Sequence, residues 1–189
     1  MIDVSNNNPI AIWPDSKKYE QYKLELKDSS ITSSWIQMDL HHGTHIDSPL
    51  HHIKNGNTVD EFPISLMKGK CQIIEIDKDV DDNVDIKSEI IFFKFKNNDL
   101  NKIFNPNFNG LTLNGVNYLR DKIKMVGTNY LSIEKFNSDG SIHKTLLSNN
   151  IWILESLNLD MVDEGIYNYY CFPLKIKAEA SPVRVMLEK

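Results

Sequence analysis

Five of the six histidines fall inside one stretch of twelve residues, His41 to His52, and their order constrains the chain more than any other feature. The stretch holds His41, Gly43, Thr44, His45, Asp47, Pro49 and His51, the pattern H-x-G-T-H-x-D-x-P-x-H. Imidazole and carboxylate together form the ligand set of hard-to-borderline divalent metals. His41, His45, Asp47 and His51 share parity, so an extended chain would point all four to one face. A straight strand would still hold His41 and His45 roughly 13 Å apart at ~3.3 Å per residue. Two ligands at ~2.0–2.1 Å from one metal cannot be so distant. The chain must therefore double back between them, and Gly43 is the residue that permits it. A continuous helix would also bring the two imidazoles together, but Gly43 and Pro49 argue against one. The HExxH metalloprotease helix fails for a related reason, since His42 stands where its glutamate belongs. The expected path is a strand ending near Leu40, a tight turn through Gly43–Thr44, and an irregular segment from which His45 and Asp47 converge. Ser48 then caps a short helix with Pro49 at its first position and Gly56 at its end, placing His51 near the metal in the first turn. His42 and His52 read as neighbours facing the other way.

The rest of the composition narrows the setting. A chain of 189 residues is long enough to bury a core without staples, and no Gly/Ser/Pro-rich linker or internal repeat divides it, so residues 1–189 read as one domain. Its 21 Lys and Arg against 26 Asp and Glu give a formal net charge of -5, leaving no pool of cations for a nucleic-acid partner. Cys71 and Cys171 sit far apart in apolar runs, the pattern of buried thiols in a reducing compartment. The start, MIDVSNNNPIAIWPD, lacks a basic, apolar leader, and no run of ~18 apolar residues occurs. A cytoplasmic location away from membranes is expected.

Apolar runs rich in Ile, Val, Phe and Tyr predict strands over 31–40, 71–76, 90–95, 125–127, 151–154, 167–176 and 183–187. Thr112 to Lys122 reads as a helix capped by Thr112. Lys78 to Asp85 reads as a charged surface turn, and Asn6–Asn8 and Asn97–Asn109 as loops. The order predicts a mixed α/β sheet rather than a sandwich. Glu155 closes the apolar run Ile151–Leu154; on sequence alone it is equally a surface carboxylate or a buried ligand. His143, outside the cluster, reads on its own as a surface residue.

The 41–51 motif closely resembles that of the metal-dependent cyclase-like hydrolases, the family containing the bacterial kynurenine formamidases and isatin hydrolases. The resemblance extends along the chain through Ile2-Asp3-Val4-Ser5, Trp13-Pro14-Asp15, Gly110-Leu111-Thr112, Val126-Gly127, the segment from His143 to Glu155, Pro173-Leu174 and Ala180-Ser181-Pro182-Val183-Arg184. It implies a swivelling β/β/α domain assembled as a homodimer or higher oligomer. It also implies two divalent metal ions, zinc or manganese. His41, His45 and Asp47 would hold one, with Asp47 and Glu155 shared with the second, which His143 would also bind. The implied reaction is hydrolysis of a small amide or cyclic amide, such as N-formylkynurenine, by a metal-activated water. His51, whose ordinary pKa lies near neutrality, would relay protons to the leaving nitrogen. Trp13 would stack on an aromatic substrate, or else serve as a hydrophobic plug. Two departures from the family pattern, the missing glycine in Trp13-Pro14-Asp15-Ser16 and Asn129 in place of a common aspartate, leave open a small-molecule binding protein with lost or altered turnover. A structural metal in an interaction module is a third reading, in which chelation would unfold the domain.

Overall fold

The computed structural model describes residues 1–6, 9, 11–24 and 30–189, so Asn7 and Asn8 of the first Asn-rich loop lie outside the described residues. Ten strands and two α-helices occur among them: β1 (Ile2–Asp3), β2 (Glu20–Leu24), β3 (Ser33–Gln37), β4 (His45–Asp47), β5 (Lys68–Ile76), β6 (Ile90–Phe95), α1 (Leu113–Leu119), β7 (Met125–Thr128), α2 (Ser141–Ser148), β8 (Trp152–Glu155), β9 (Gly165–Pro173) and β10 (Ala180–Glu188).

Eight strands form one sheet in the order β1-β10-β4-β8-β7-β6-β5-β9, and β10 also pairs with β9, which closes the sheet on itself. The run β5-β6-β7-β8 is parallel. The pairings of β4 with β8 and β10, and of β9 with β5 and β10, are antiparallel. The result is a mixed α/β fold around a closed, barrel-like sheet. Strands from both ends of the chain meet in it, with Ile2 opposite Leu187.

Both faces of the parallel strands are buried, which is why their sequences read as continuous apolar runs. In β6, Ile90 and Phe92 join the barrel interior with Cys71, Trp152, Tyr169 and Cys171. Ile91, Phe93 and Phe95 face the opposite way and pack with Val116 and Leu119 of α1 and Ile142 and Leu146 of α2. Cys71 and Cys171 are buried free thiols. Burial pushes the Cys71 thiol up to about 12, so it is inert at neutral pH.

Where strands and helices were expected, most occur, with informative differences. Helix α1 is capped as predicted, the Thr112 Oγ1 accepting from the Gly115 amide at 3.1 Å. It ends at Leu119 rather than Lys122. The expected strand over 31–40 shrinks to β3 and pairs only with β2, forming a separate two-stranded ribbon with exposed residues on both faces. The charged turn at Lys78–Asp85 is tethered through Val80, fully buried and bridged to Leu111.

Gly115 shows how tightly α1 is seated. A Cβ there would lie 2.3 Å from the Val80 carbonyl oxygen and 2.7 Å from that of Asp81. Val80 is pinned on both sides, its amide donating to the Gly110 carbonyl and its carbonyl accepting from Thr112 N. Alanine is ordinarily favoured over glycine by about 1 kcal/mol inside a helix, whereas overpacking against atoms that cannot move costs about 1–3 kcal/mol. Gly115→Ala should therefore destabilise the protein, seen as a lower urea midpoint with an unchanged m value.

Candidate metal centre

Strand β4 sits between β10 and β8 and sets the geometry of the site. Its register places His45 opposite Glu155 and Asp47 opposite Ile153. Alternation along three residues turns Ile46 into the barrel interior and leaves His45 and Asp47 on the other face, toward the Glu155 side chain. The expected irregular segment is thus a short strand, and it is held in place by its neighbours. The predicted reversal occurs at Gly43, whose φ of 68° lies in the left-handed region. It brings the His41 and His45 rings to 4.9 Å between centroids.

Thr44 explains its place in the motif. Its hydroxyl accepts from the Asn6 amide at 2.6 Å and donates to the Ser156 carbonyl at 2.6 Å. Ser156, immediately after Glu155, is a non-glycine residue at φ 58°. That conformation costs roughly 1–2 kcal/mol, and bonds at both its amide (to Tyr130 O) and its carbonyl hold it.

Around Asp47 the donor atoms fall into two groups, each within 4.8 Å: His41, Asp47 and His51, and His45, Asp47 and Glu155. Asp47 is shared, as the family resemblance implies. The grouping differs from the implied one in that His51 joins His41 and Asp47. His143 is brought in from α2, with Nε2 3.3 Å from Glu155 Oε1. His45 Nδ1 lies 2.8 Å from the Gly43 carbonyl, which can only accept, so Nδ1 carries a proton and Nε2 is the nitrogen turned to the centre. That nitrogen is 3.5 Å from Asp47 Oδ1 and 3.4 Å from Glu155 Oε2. His45 Nε2 and both Asp47 carboxylate oxygens are buried without a hydrogen-bond partner. Apart from His41 Nδ1, 3.0 Å from Asp47 Oδ1, the atoms that converge here are acceptors, and such a group is costly to bury unless a cation lies between them. The residues present fit a divalent metal.

The electrostatics follow the same crowding. Burial disfavours charge on His41, but the Asp47 carboxylate, 3.0 Å away, outweighs it and lifts the imidazole to about 9. At His143, burial is likewise overcome by the bonds to Glu134 and Glu155, raising it to about 10. Asp47 would be pushed up by burial, yet the surrounding imidazoles hold it far below the usual carboxylate range. His51 goes the other way: burial and the positive charges of His41 and His143 keep its pKa below the ordinary value against the pull of Asp47 and Glu155.

Four placements differ from the sequence reading. His52 does not face away but stacks on His143, with centroids 4.8 Å apart, and its pKa drops to about 4 mainly through burial. Parity fails here because Pro49–His51 is a 3-10 turn rather than an extended strand. His42 is buried and stacks on Tyr19 at 6.0 Å. Ser48 has cap geometry, but its hydroxyl donates to the Glu179 carbonyl at 3.0 Å instead of capping the turn. Gly56 lies beyond the turn, close against Pro49, where a Cβ would meet the Pro49 carbonyl carbon at 2.7 Å.

The centre opens into a cavity of about 540 Å³ lined by His41, His51, His52, His143, Glu155 and Trp13, among others. Trp13 is half-buried and makes edge contacts with Phe104 and Phe136 at 5.8 and 5.3 Å. The Trp13–Ser16 segment closes as a turn without its glycine, Ser16 N donating to Trp13 O at 3.0 Å. Asn129 does not line the cavity. Its side chain accepts from Phe95 N at 2.9 Å and donates to Phe95 O at 3.0 Å, tying β6 to the end of β7, and a carboxylate could not make the second bond.

Sequence reasoning missed Glu134. Its carboxylate, buried against the cavity, accepts from His143 Nδ1 at 2.6 Å, and burial notwithstanding, these bonds hold it down at about 2. A serine on each side in sequence, Ser132 and Ser138, bonds to it, but no periodicity links it to His143 nine residues later.

Comparison with known proteins places this arrangement. Residues 2–135 match the family described as putative cyclase. The chain is 26% identical to cyclase-like protein 3 of Arabidopsis thaliana over 95% of its own length and 75% of that protein's. It is 27% identical to a kynurenine formamidase of Bacillus cytotoxicus over 98% of its length and 96% of that enzyme's. A solved structure described as a predicted metal-dependent hydrolase from Bacillus stearothermophilus superposes with a TM-score of 0.82 at 31% identity, covering 98% of this chain and 96% of that one.

A cation requires neutral imidazoles, whereas His41 at about 9 and His143 at about 10 are protonated at pH 7 in the metal-free chain. Uptake of a divalent metal at pH 7 should therefore release protons, and affinity should rise with pH until those groups titrate. Calorimetric titration in buffers of different ionisation enthalpy reads the release directly; a buffer-independent heat would contradict it.

Proposed function

The chain belongs to the putative cyclase family, and from that premise we propose that it is a metal-dependent amidohydrolase acting on a small amide or cyclic amide, with an N-formylkynurenine-type formamide as the first substrate to test. The observation that carries the reading is the convergence of His45 Nε2, Asp47 and Glu155, all buried and within 4.8 Å of one another, beside a cavity that Glu155 lines. A kynurenine formamidase relative that this chain matches over nearly its whole length supports the choice of reaction.

His41, His45, Asp47, His143 and Glu155 would hold divalent metal, two zinc or manganese ions in the fullest form of the proposal. Bound there, such ions lower the pKa of water from 15.7 toward ~7 and polarise a carbonyl oxygen. The chain's own residues do the rest. Asp47 and Glu155 supply the anionic charge that neutralises cations in a buried site. His51, neutral at pH 7 and lining the cavity, accepts a proton from the attacking water and returns it to the departing nitrogen. Trp13, braced by Phe104 and Phe136, offers an aromatic wall against which a flat substrate can lie.

No helix among the described residues is long and apolar enough to cross a membrane. The two buried free thiols fit a reducing cytoplasm. A homodimer or larger assembly belongs to the same proposal, since the β2–β3 ribbon leaves Tyr22, Leu24, Trp35 and Ile36 exposed.

Purified without chelators, the protein should carry divalent metal by elemental analysis and hydrolyse N-formylkynurenine or isatin. A chain that takes up no metal after reconstitution would end the reading. His51→Ala should keep its metal while kcat falls by about 100-fold or more. Loss of metal from that variant would instead make His51 a ligand, as its place beside His41 and Asp47 allows. Trp13→Ala should raise KM more than it lowers kcat, read from steady-state kinetics on the same substrate.

A further inference from the structure

Glu134 lies outside the motif at residues 41–51 and outside both groups of converging ligand atoms, yet its carboxylate accepts from Ser138 Oγ and from the ring and backbone nitrogens of His143. Resting on the metal-centre reading above, we infer that Glu134 is a positioning residue that fixes the His143 ring with Nδ1–H turned away from the centre and Nε2 presented to the metal.

The argument is one of donors and acceptors. An ionised carboxylate has only lone pairs to offer. His143 Nδ1 stands 2.6 Å from Glu134 Oε2, so that nitrogen carries the proton. The nitrogen left for the centre is then Nε2, the one 3.3 Å from Glu155 Oε1. The same Oε2 accepts from the His143 backbone amide at 3.1 Å, so ring and backbone are referred to a single atom. Glu134 is itself held: Ser138 Oγ donates to Oε1 at 2.7 Å, and the Glu134 amide donates to Ser132 Oγ at 3.1 Å. The next residue back in the same loop acts on the other acid, Ile133 N donating to Glu155 Oε1 at 2.7 Å. One short loop therefore sets the directions of His143 and Glu155 together. The His52 ring, stacked on His143 at an interplanar angle of 15°, limits its rotation from the side.

A purely structural role accounts for part of this geometry. Helix α2 begins after Gly140, which has no side chain to cap it, and Glu134 satisfies one of its free amides. Helix capping does not require the bond to Nδ1. That bond is the arrangement by which a carboxylate orients a metal-binding imidazole and strengthens its basicity.

The test uses the full-length protein labelled with 15N. In the metal-free wild type, His143 Nδ1–H should give a downfield, slowly exchanging signal. Glu134→Gln, whose amide oxygen still accepts, should retain it, and Glu134→Ala should lose it. Zinc affinity, measured by competition with a chromophoric chelator, should fall by roughly 10–100-fold in Glu134→Ala and by less in Glu134→Gln. Ser138→Ala, which keeps the carboxylate but loosens it, should fold normally and show a smaller loss, so the inference remains testable if Glu134→Ala is unstable. Persistence of the Nδ1–H signal in Glu134→Ala, or wild-type zinc affinity in that variant, would overturn the inference while leaving the hydrolase reading intact. A wild-type chain that takes up no zinc would overturn the hydrolase reading and the metal half of this inference, with the Nδ1–H signal still deciding the rest.

Discussion

The structure turns on the placement of two buried carboxylates and an imidazole edge against one another across adjacent strands. His45 and Glu155 face each other because β4 and β8 pair antiparallel in a single register, and a slip of β4 by one residue would turn His45 and Asp47 to the barrel interior. Asp47 is 0% exposed, and the nearest cation to its carboxylate is the His41 imidazole, Nδ1 3.0 Å from Oδ1. In an interior of low dielectric that arrangement is unfavourable unless positive charge shares it. The protonated state of His41 and His143 in the metal-free chain is the protein's provisional answer, and a divalent cation is the fuller one. The β4–β8 pairing, the Ile133 amide on Glu155 and the Glu134 carboxylate on His143 hold those groups in place.

Much of this could be read in the sequence where chemistry and local geometry coincide. The ligand types in the 41–51 motif, and the need for Gly43 to reverse the chain, follow from bond lengths and strand rise alone. The strand at Ile90–Phe95 and the cap at Thr112 are equally local, and both appear. His143 reads as a ligand only through resemblance to a family, and the apolar run before Glu155 leaves that residue evenly poised between a buried ligand and a surface carboxylate.

What the sequence hides is tertiary in origin. Strand β4 has one apolar residue, Ile46, and owes its conformation to β8 and β10 rather than to propensity. Helix α2 lacks a capping side chain at Gly140 and receives a carboxylate from six residues upstream. The ribbon of β2 and β3 buries no face, so its apolar residues mimic a core strand. His52 escaped because a 3-10 turn rotates successive side chains by about a third of a circle, and alternation no longer says which way they point.

The threonine of the motif carries a consequence of a different kind. Its hydroxyl is at once acceptor for the N-terminal segment and donor to the carbonyl of a serine held in a left-handed conformation. It works as a latch on a sprung hinge. Released, the peptide after Glu155 would be free to swing back to an ordinary conformation, and the acid would swing with it. A more comfortable backbone and a correctly aimed carboxylate are therefore alternatives in this protein, and the choice between them rests on a hydroxyl that touches no substrate.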